Sequence, residues 1–303
     1  MRRANLVSIE RMSDLAFGAA TVAALNAAAA ELQTAQTQLA TGRRVNQPSD
    51  DPSAFGQASV LTTMKSSLEE EINQANTAAS RLNVISGALE HAANAIQQAI
   101  QIAESAANGT NNPQNLADFG KAVEGIMEAM VGLGNTKDGN VYVFSGEATD
   151  TPPFTASGAY LGSSGANVVD FFNQASVKTT LAGSAVFGDS GAGTGIMSAL
   201  QSLLSALNAG DQAGVRGAIP ALTGALNQIG AVQASVGASI QVVESVSSAA
   251  ATQSQQVDSK ISILTDADIA RVSADAALAG AKEQALIAIA SQSRQISLVN
   301  ILA

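Results

Sequence analysis

Asp50 and Asp51 come nearest, by type and spacing, to residues that could do chemistry. Adjacent carboxylates can serve as a general acid and base or hold a hard cation. Neither use has the rest of its set, because no partner acid, His or Gly-rich calcium loop lies nearby. Asp51 stands directly before Pro52, and Asp followed by Pro at the first helical position starts a helix, so capping is the simpler reading. Glu69-Glu70-Glu71 lies just past the start of a long apolar stripe and reads as a solvated, dipole-favoured helix face. Gly191-Ala192-Gly193-Thr194-Gly195 precedes a helix, as a phosphate loop would. Its spacing fits neither glycine fingerprint, and no Lys follows. His91, the one histidine, falls opposite the stripe and reads as a surface residue. Arg43-Arg44 is either a solvated pair or a contact to a neighbouring subunit. With no Cys and one His, thiolate zinc sites, Cys nucleophiles, disulfides and His triads are excluded. No reactive constellation remains, so the sequence predicts no enzyme, no cofactor and no metal site.

What remains is shape, and the stretch from Leu68 to Ala103 sets it. Leu68, Ile72, Ala75, Ala79, Leu82, Ser86, Leu89, Ala93, Ile96, Ile100 and Ala103 form a heptad stripe broken only at Ser86. Asn, Gln and Glu crowd the positions between them, as in a coiled-coil seam. A rod of roughly 50 Å follows from about 1.5 Å per residue, and it cannot bury its own stripe. Partner helices must come from the rest of the chain. Asp14 to Ala40 predicts a helix with a thin seam of Leu15, Gly18, Val22, Leu25, Ala29, Leu32, Gln36 and Leu39. Burying each large residue contributes about 1.5–3 kcal/mol. Ordering each backbone residue costs about 1–2 kcal/mol, so this helix should not fold alone.

Gly42 stops that helix as a left-handed cap. The break runs to Asp51-Pro52, where the next helix starts and continues into the rod. After the turn cluster Ala107 to Pro113, Leu116, Phe119, Val123, Ile126, Met130 and Leu133 predict a short helix folding back antiparallel on the rod. Asn108-Gly109-Thr110 is a formal glycosylation sequon of a length that arises by chance. From Gly134 the character changes. Val141 to Phe144, Val168 to Phe172 and Val177 to Leu181 predict strands, Thr151-Pro152-Pro153-Phe154 cannot be helix, and Gly183 to Gly195 predicts a loop. Helices resume at Ile196. A long one from Pro220 carries Ile229, Val232, Val236, Ile240, Val243, Val257, Ile261 and Leu264. Thr265-Asp266 offers a cap for a last helix with Ile269, Val272, Leu278, Leu286, Ile289, Ile296, Val299 and Leu302.

The fold class is therefore mainly α. Long antiparallel coiled-coil helices from both chain ends enclose a small β-rich outer unit in the middle. The expected division is a terminal helical core of residues 1–41 and 266–303, a helical rod of 42–140 and 195–265, and a β-rich outer domain of 141–194. A net charge of −10 argues against nucleic acid and against an anionic membrane surface. Glu10, Arg11 and Asp14 interrupt the apolar region a cleaved signal needs, and no membrane span is expected.

Leu39-Ala40-Thr41-Gly42-Arg43-Arg44-Val45-Asn46, followed by Pro48-Ser49-Asp50-Asp51-Pro52, resembles the N-terminal segment of bacterial flagellins and their junction relatives. Leu264-Thr265-Asp266-Ala267-Asp268-Ile269-Ala270 resembles their C-terminal segment. Asn135-Thr136-Lys137-Asp138-Gly139, with Tyr142 to Gly146 and Thr149 to Phe154, is similar to the hook–filament junction branch. The resemblance implies an extracellular structural subunit of the bacterial flagellum, exported without a cleaved signal, that joins hook to filament by helical self-assembly. The alternative is the bulk filament flagellin. Implied partners are copies of itself, hook-associated protein 1, flagellin and a flagellar export chaperone. The assembly interface is expected at Leu15, Val22, Leu25, Leu32, Leu39, Arg43, Arg44, Asp50, Asp51, Leu286, Ile289, Ile296, Val299 and Leu302.

Overall fold

The computed structural model describes residues 2–109, 111–172, 175–189 and 195–302, with side chains described from residue 16 to residue 292 outside the same gaps. Seven helices and four short strands are present among the described residues. Their order is α1 (Arg2–Thr41), α2 (Pro52–Ala106), α3 (Pro113–Gly134), β1 (Lys137–Asp138), β2 (Val141–Tyr142), β3 (Val168–Asp170), β4 (Ser176–Lys178), α4 (Gly183–Phe187), α5 (Gly195–Ala209), α6 (Gln212–Thr265) and α7 (Ile269–Leu302). The chain divides into two compact units. One comprises Met1–Ser66 and Ser254–Ala303, the other Ser67–Gln253, and α2 and α6 contribute a part to each.

In the first unit α1 and α7 pack together. They run antiparallel: Gly42 lies beside Ala267, and farther along Glu31 meets Lys282 at 3.2 Å. Among the residues whose side chains are described, the buried positions on this pair are small, Ala28 and Ala35 on α1 and Val272 and Ala279 on α7. Within the same unit α2 and α6 are also antiparallel and are pinned by Lys65 Nζ on Asp258 at 2.6 Å.

The second unit holds the larger core. Along α2 a buried row runs through Leu68, Glu71, Ala75, Ala78, Leu82, Ile85, Leu89, Ala92, Ile96, Ala99, Ala103 and Ala106, with Ala88 buried beside it. That corrects the expected stripe. Leu68, Ala75, Leu82, Leu89, Ile96 and Ala103 are in it, but their partners sit one residue earlier than the sequence reading put them. Ile85 replaces Ser86, and Glu71 replaces Ile72, so the stripe has no gap at 86. Glu71 is correspondingly not a solvated residue; its carboxylate accepts the Phe172 N–H at 3.0 Å. His91 is exposed, as expected.

α3 begins where Asn112 accepts the Asn115 N–H at 2.8 Å with Pro113 behind it, and buries Leu116, Val123, Ile126 and Met130. Its closest backbone neighbour is α5, where Gly120 faces Asn208 and Leu204. Buried residues of α2, α3, α5 and α6 join one core. α6 starts at Gln212, earlier than expected, and runs through Pro220. One 18-residue window of α6, of mean hydropathy 1.2, is apolar enough by length and composition to cross a membrane, against the sequence expectation. In this fold that helix turns Ile229, Val236 and Val243 into the core.

Two antiparallel hairpins, β1–β2 and β3–β4, make up the strand content of the middle segment. Gly183 to Phe187, expected as loop, is the short helix α4. Its Phe187 is buried edge-on to Phe144 (ring centroids 5.0 Å apart) and Phe154 (5.7 Å), and that tertiary packing holds the turn helical. The glycine-rich stretch 191–194 lies outside the described residues.

Candidate functional site

The two sequence segments that carry the flagellin resemblance meet in one clasp in the first unit. Gly42 ends α1 with φ +69°, a left-handed conformation that suits glycine, and its N–H donates to Gln38 O at 2.8 Å. The chain then forms an antiparallel bridge between Arg43 and Asp266. The Arg44 and Val45 N–H groups donate to Thr265 O at 2.7 and 3.3 Å, and Ala267 N–H donates to Gly42 O at 2.9 Å. Val45 and Thr265 are buried beneath these bonds.

Arg44 is the hub. Its guanidinium donates to Leu264 O at 2.8 Å and to Asp51 Oδ2 at 3.2 Å, and Gln38 Nε2 donates to its carbonyl at 3.2 Å. One side chain thus ties the end of α6 to the start of α2, and its backbone is held to the end of α1. Arg43 behaves differently: its side chain is exposed, and no bond or ion pair engages its guanidinium among the described residues.

The carboxylates also divide their roles. Asp51 Oδ1 caps α2 by accepting Ala54 N–H at 3.0 Å, as the sequence predicts. Asp50 Oδ2 accepts the Asn46 and Gln47 N–H groups at 2.9 and 3.0 Å and so folds the loop before it. Those backbone bonds hold the Asp50 carboxyl below its ordinary range; the Ala54 N–H and then Arg44 do the same for Asp51. The cap of α7 is Asp268, whose Oδ1 accepts Ala270 and Arg271 N–H at 3.0 and 3.2 Å. The expected cap, Thr265-Asp266, is instead drawn into the clasp. No cluster of three His, Asp or Glu side chains gathers among the described residues.

Acid should open this clasp. Both Asp values are lower folded than unfolded, so their contribution is complete at neutral pH. It declines as pH falls through about 4, the unfolded carboxylate range, towards the lower folded values. Amide hydrogen exchange, corrected for intrinsic rates, should show Arg44 and Val45 losing protection over that window. Asp51→Asn, which keeps a capping side chain, should flatten the transition. Unchanged pH dependence in that variant would remove Asp51 from the clasp's titration.

The expected terminal interface is brought together only in part. Leu25, Leu32 and Leu39 on α1 and Leu286 on α7 are half-buried. Val22 and Ile289 remain 57% and 45% exposed, so a large part of each is left uncovered within one chain. The inward row of α1 instead includes Thr21, Ala28 and Ala35, one residue before the expected Val22, Ala29 and Gln36. The side chains of Leu15, Ile296, Val299 and Leu302 lie outside the described residues.

A second cluster gathers the junction-type motif in the second unit. Asn135, just past α3, donates through Nδ2 to Phe154 O and accepts Phe154 N–H at Oδ1, both at 2.9 Å. The Phe154 ring lies against Gly134 and Gly183, where an added Cβ would stand 2.5 and 2.6 Å from ring carbons, so both positions require glycine. The Tyr160 ring packs tilted against Phe154, centroids 5.2 Å apart, and its hydroxyl donates to Ser163 O at 2.8 Å.

Residues 12–149 match the family model of the bacterial flagellin N-terminal helical region. The chain also resembles flagellar hook-associated protein 3: the Escherichia coli K12 protein of that name is 34% identical over 127 residues, 41% of this chain and 40% of the relative. The B-type flagellin of Pseudomonas aeruginosa is 29% identical over 112 residues, 37% of this chain and 23% of that protein. The matched segments thus span about two fifths or less of these relatives' lengths. The solved hook-associated protein 3 of Legionella pneumophila superposes with TM-score 0.61 at 16% identity, covering 68% of this chain and 98% of that one. The fold is shared, and the resemblance read from the motifs is borne out.

Proposed function

We propose that this chain is a structural subunit of the bacterial flagellum that joins hook to filament by helical self-assembly through its terminal helices. The observation that carries the reading is the described part of the α1–α7 pair, which buries mostly alanine inside one chain while Val22, Leu278 and Ile289 stay exposed. A pair this thin gains its missing burial from neighbouring subunits, and repeated head-to-tail contacts that do not close give a helical array. The clasp sets the register of both chain ends. Arg43, whose guanidinium projects without a partner in the described chain, fits a contact to a neighbour, whereas Arg44 and Asp51 act within the chain.

The match to hook-associated protein 3 and the Asn135–Phe154 cluster favour the junction over the bulk filament. In this reading the terminal helices (residues 1–41 and 266–303) form the inner core, the long helices form the rod and residues 141–194 face outward. Hook-associated protein 1 and flagellin are the neighbours. The chain leaves the cell through the flagellar export apparatus, escorted by a chaperone, and it catalyses no reaction.

Because the chain has no cysteine, single-thiol variants report the interface directly. Val22→Cys and Ile289→Cys should react readily with a maleimide in the monomer and be shielded on isolated flagella, while Gln98→Cys, on the exposed side of α2, serves as a solvent-facing comparison. Equal labelling of Val22→Cys and Ile289→Cys in monomer and flagella would argue against assembly through α1 and α7.

A further inference from the structure

We propose that the turn closing α2 carries a site of spontaneous deamidation at Asn108-Gly109. Asn108 is the one asparagine in the sequence followed by glycine. The fold leaves this bond unprotected: α2 ends at Ala106, Asn108 and Gly109 are both exposed, and the Gly109 N–H donates to no group among the described residues. Asparagines inside helices have the following amide fixed in the helical ladder. Here that amide is free, and glycine has no Cβ to shield it.

In the reaction the Gly109 main-chain nitrogen loses its proton and attacks Cγ of Asn108. A C–N bond closes a five-membered succinimide, and the side-chain nitrogen leaves as ammonia. Water then opens the ring at either carbonyl, giving aspartate or isoaspartate. No oxidant, reductant or cofactor is required.

The consequence falls on the end of α2. Asn111 Nδ2 donates to Ser105 O at 2.7 Å, Ala106 O at 3.2 Å and Asn108 O at 3.0 Å, closing the last carbonyls of the helix. A new carboxylate at 108 sits at the negative end of the α2 dipole. The isoaspartate form adds one main-chain atom beside the Asn108 carbonyl and shifts that acceptor. The turn between α2 and α3 therefore loosens as the protein ages.

The test is peptide mapping by mass spectrometry on the full chain aged at mildly alkaline pH, folded and in urea. The peptide spanning 108–109 should gain about one mass unit, the exchange of ammonia for water, before any other asparagine peptide does. Its folded rate should lie within about tenfold of the unfolded rate, because an unprotected amide needs no local unfolding. Gly109→Ala should slow the reaction in both states. An added methyl there meets only the Gln212 side chain, at 3.7 Å, so the fold is not at stake. A folded rate more than about tenfold below the unfolded one would show that the turn protects the bond, and would overturn the proposal. Undiminished reaction in Gly109→Ala, or earlier conversion at another asparagine, would overturn it as well.

Discussion

Ile85→Ala and Leu89→Ala should each lower the unfolding free energy by about 2–5 kcal/mol, through lost burial and the cavity left behind. Both side chains are fully buried on α2 in the core shared with α3, α5 and α6. Ser86→Ala and His91→Ala should each change it by under about 0.5 kcal/mol. The four variants together read the rotation of α2 about its axis. A stripe centred on Ser86 predicts a modest loss at 85 and a sensitive position at 86; the structure predicts the reverse. Urea melts followed by circular dichroism decide it, and equal losses at Leu89 and His91 would refute either register.

The second large effect lies on function. Ile289→Asp places a carboxylate where one chain leaves α7 partly uncovered, and Ile296→Asp adds a second one heptad further along the sequence. In the monomer Ile289→Asp meets water and costs little. Buried unpaired in an assembled seam, each charge costs several kcal/mol, enough to exclude the subunit. If, as proposed, a chaperone escorts the chain, an amphipathic helix of this kind would lie in its groove. The double variant should lose incorporation into flagella, motility and chaperone binding. Thermal and urea melts of the second unit should be unaltered. A double variant that swims and still binds its chaperone would show that the tail is not the assembly surface.

The order of helices and a middle segment with short antiparallel strands were readable from periodicity and turn residues, because Leu82, Leu89, Ile96 and Val123 recur among polar neighbours. The rotation of each helix was not. A stripe stepping four then three shares every second residue with one stepping three then four, and alanine-rich helices hide the difference. Thr21 lost to the larger Val22, and Ala28 and Ala29 cannot be told apart. One signal was available: Ser86 broke the expected stripe while Ile85 stood beside it. α4 was hidden because Phe187 in the aromatic cluster, not local propensity, holds Gly183–Phe187 helical.

The clasp was legible as two motifs but not as a contact, since Arg44 and the Leu264 carbonyl it binds are 220 residues apart. Nothing local says that the Thr265 carbonyl will accept two N–H groups from the other motif. Once it does, Thr265 and Asp266 belong to the clasp, and Asp268 is left to cap α7. Of the expected interface, Arg44 and Asp51 are thereby spoken for inside the chain, while Val22 and Ile289 keep the exposure that an interface needs.

The central claim is a place in the flagellum, and gold-conjugated antibody against the chain, applied to isolated intact flagella, tests it most directly. Label should be confined to a single narrow band where hook meets filament. Label distributed along the whole filament would make the chain the bulk subunit, and flagella without label would contradict the account altogether.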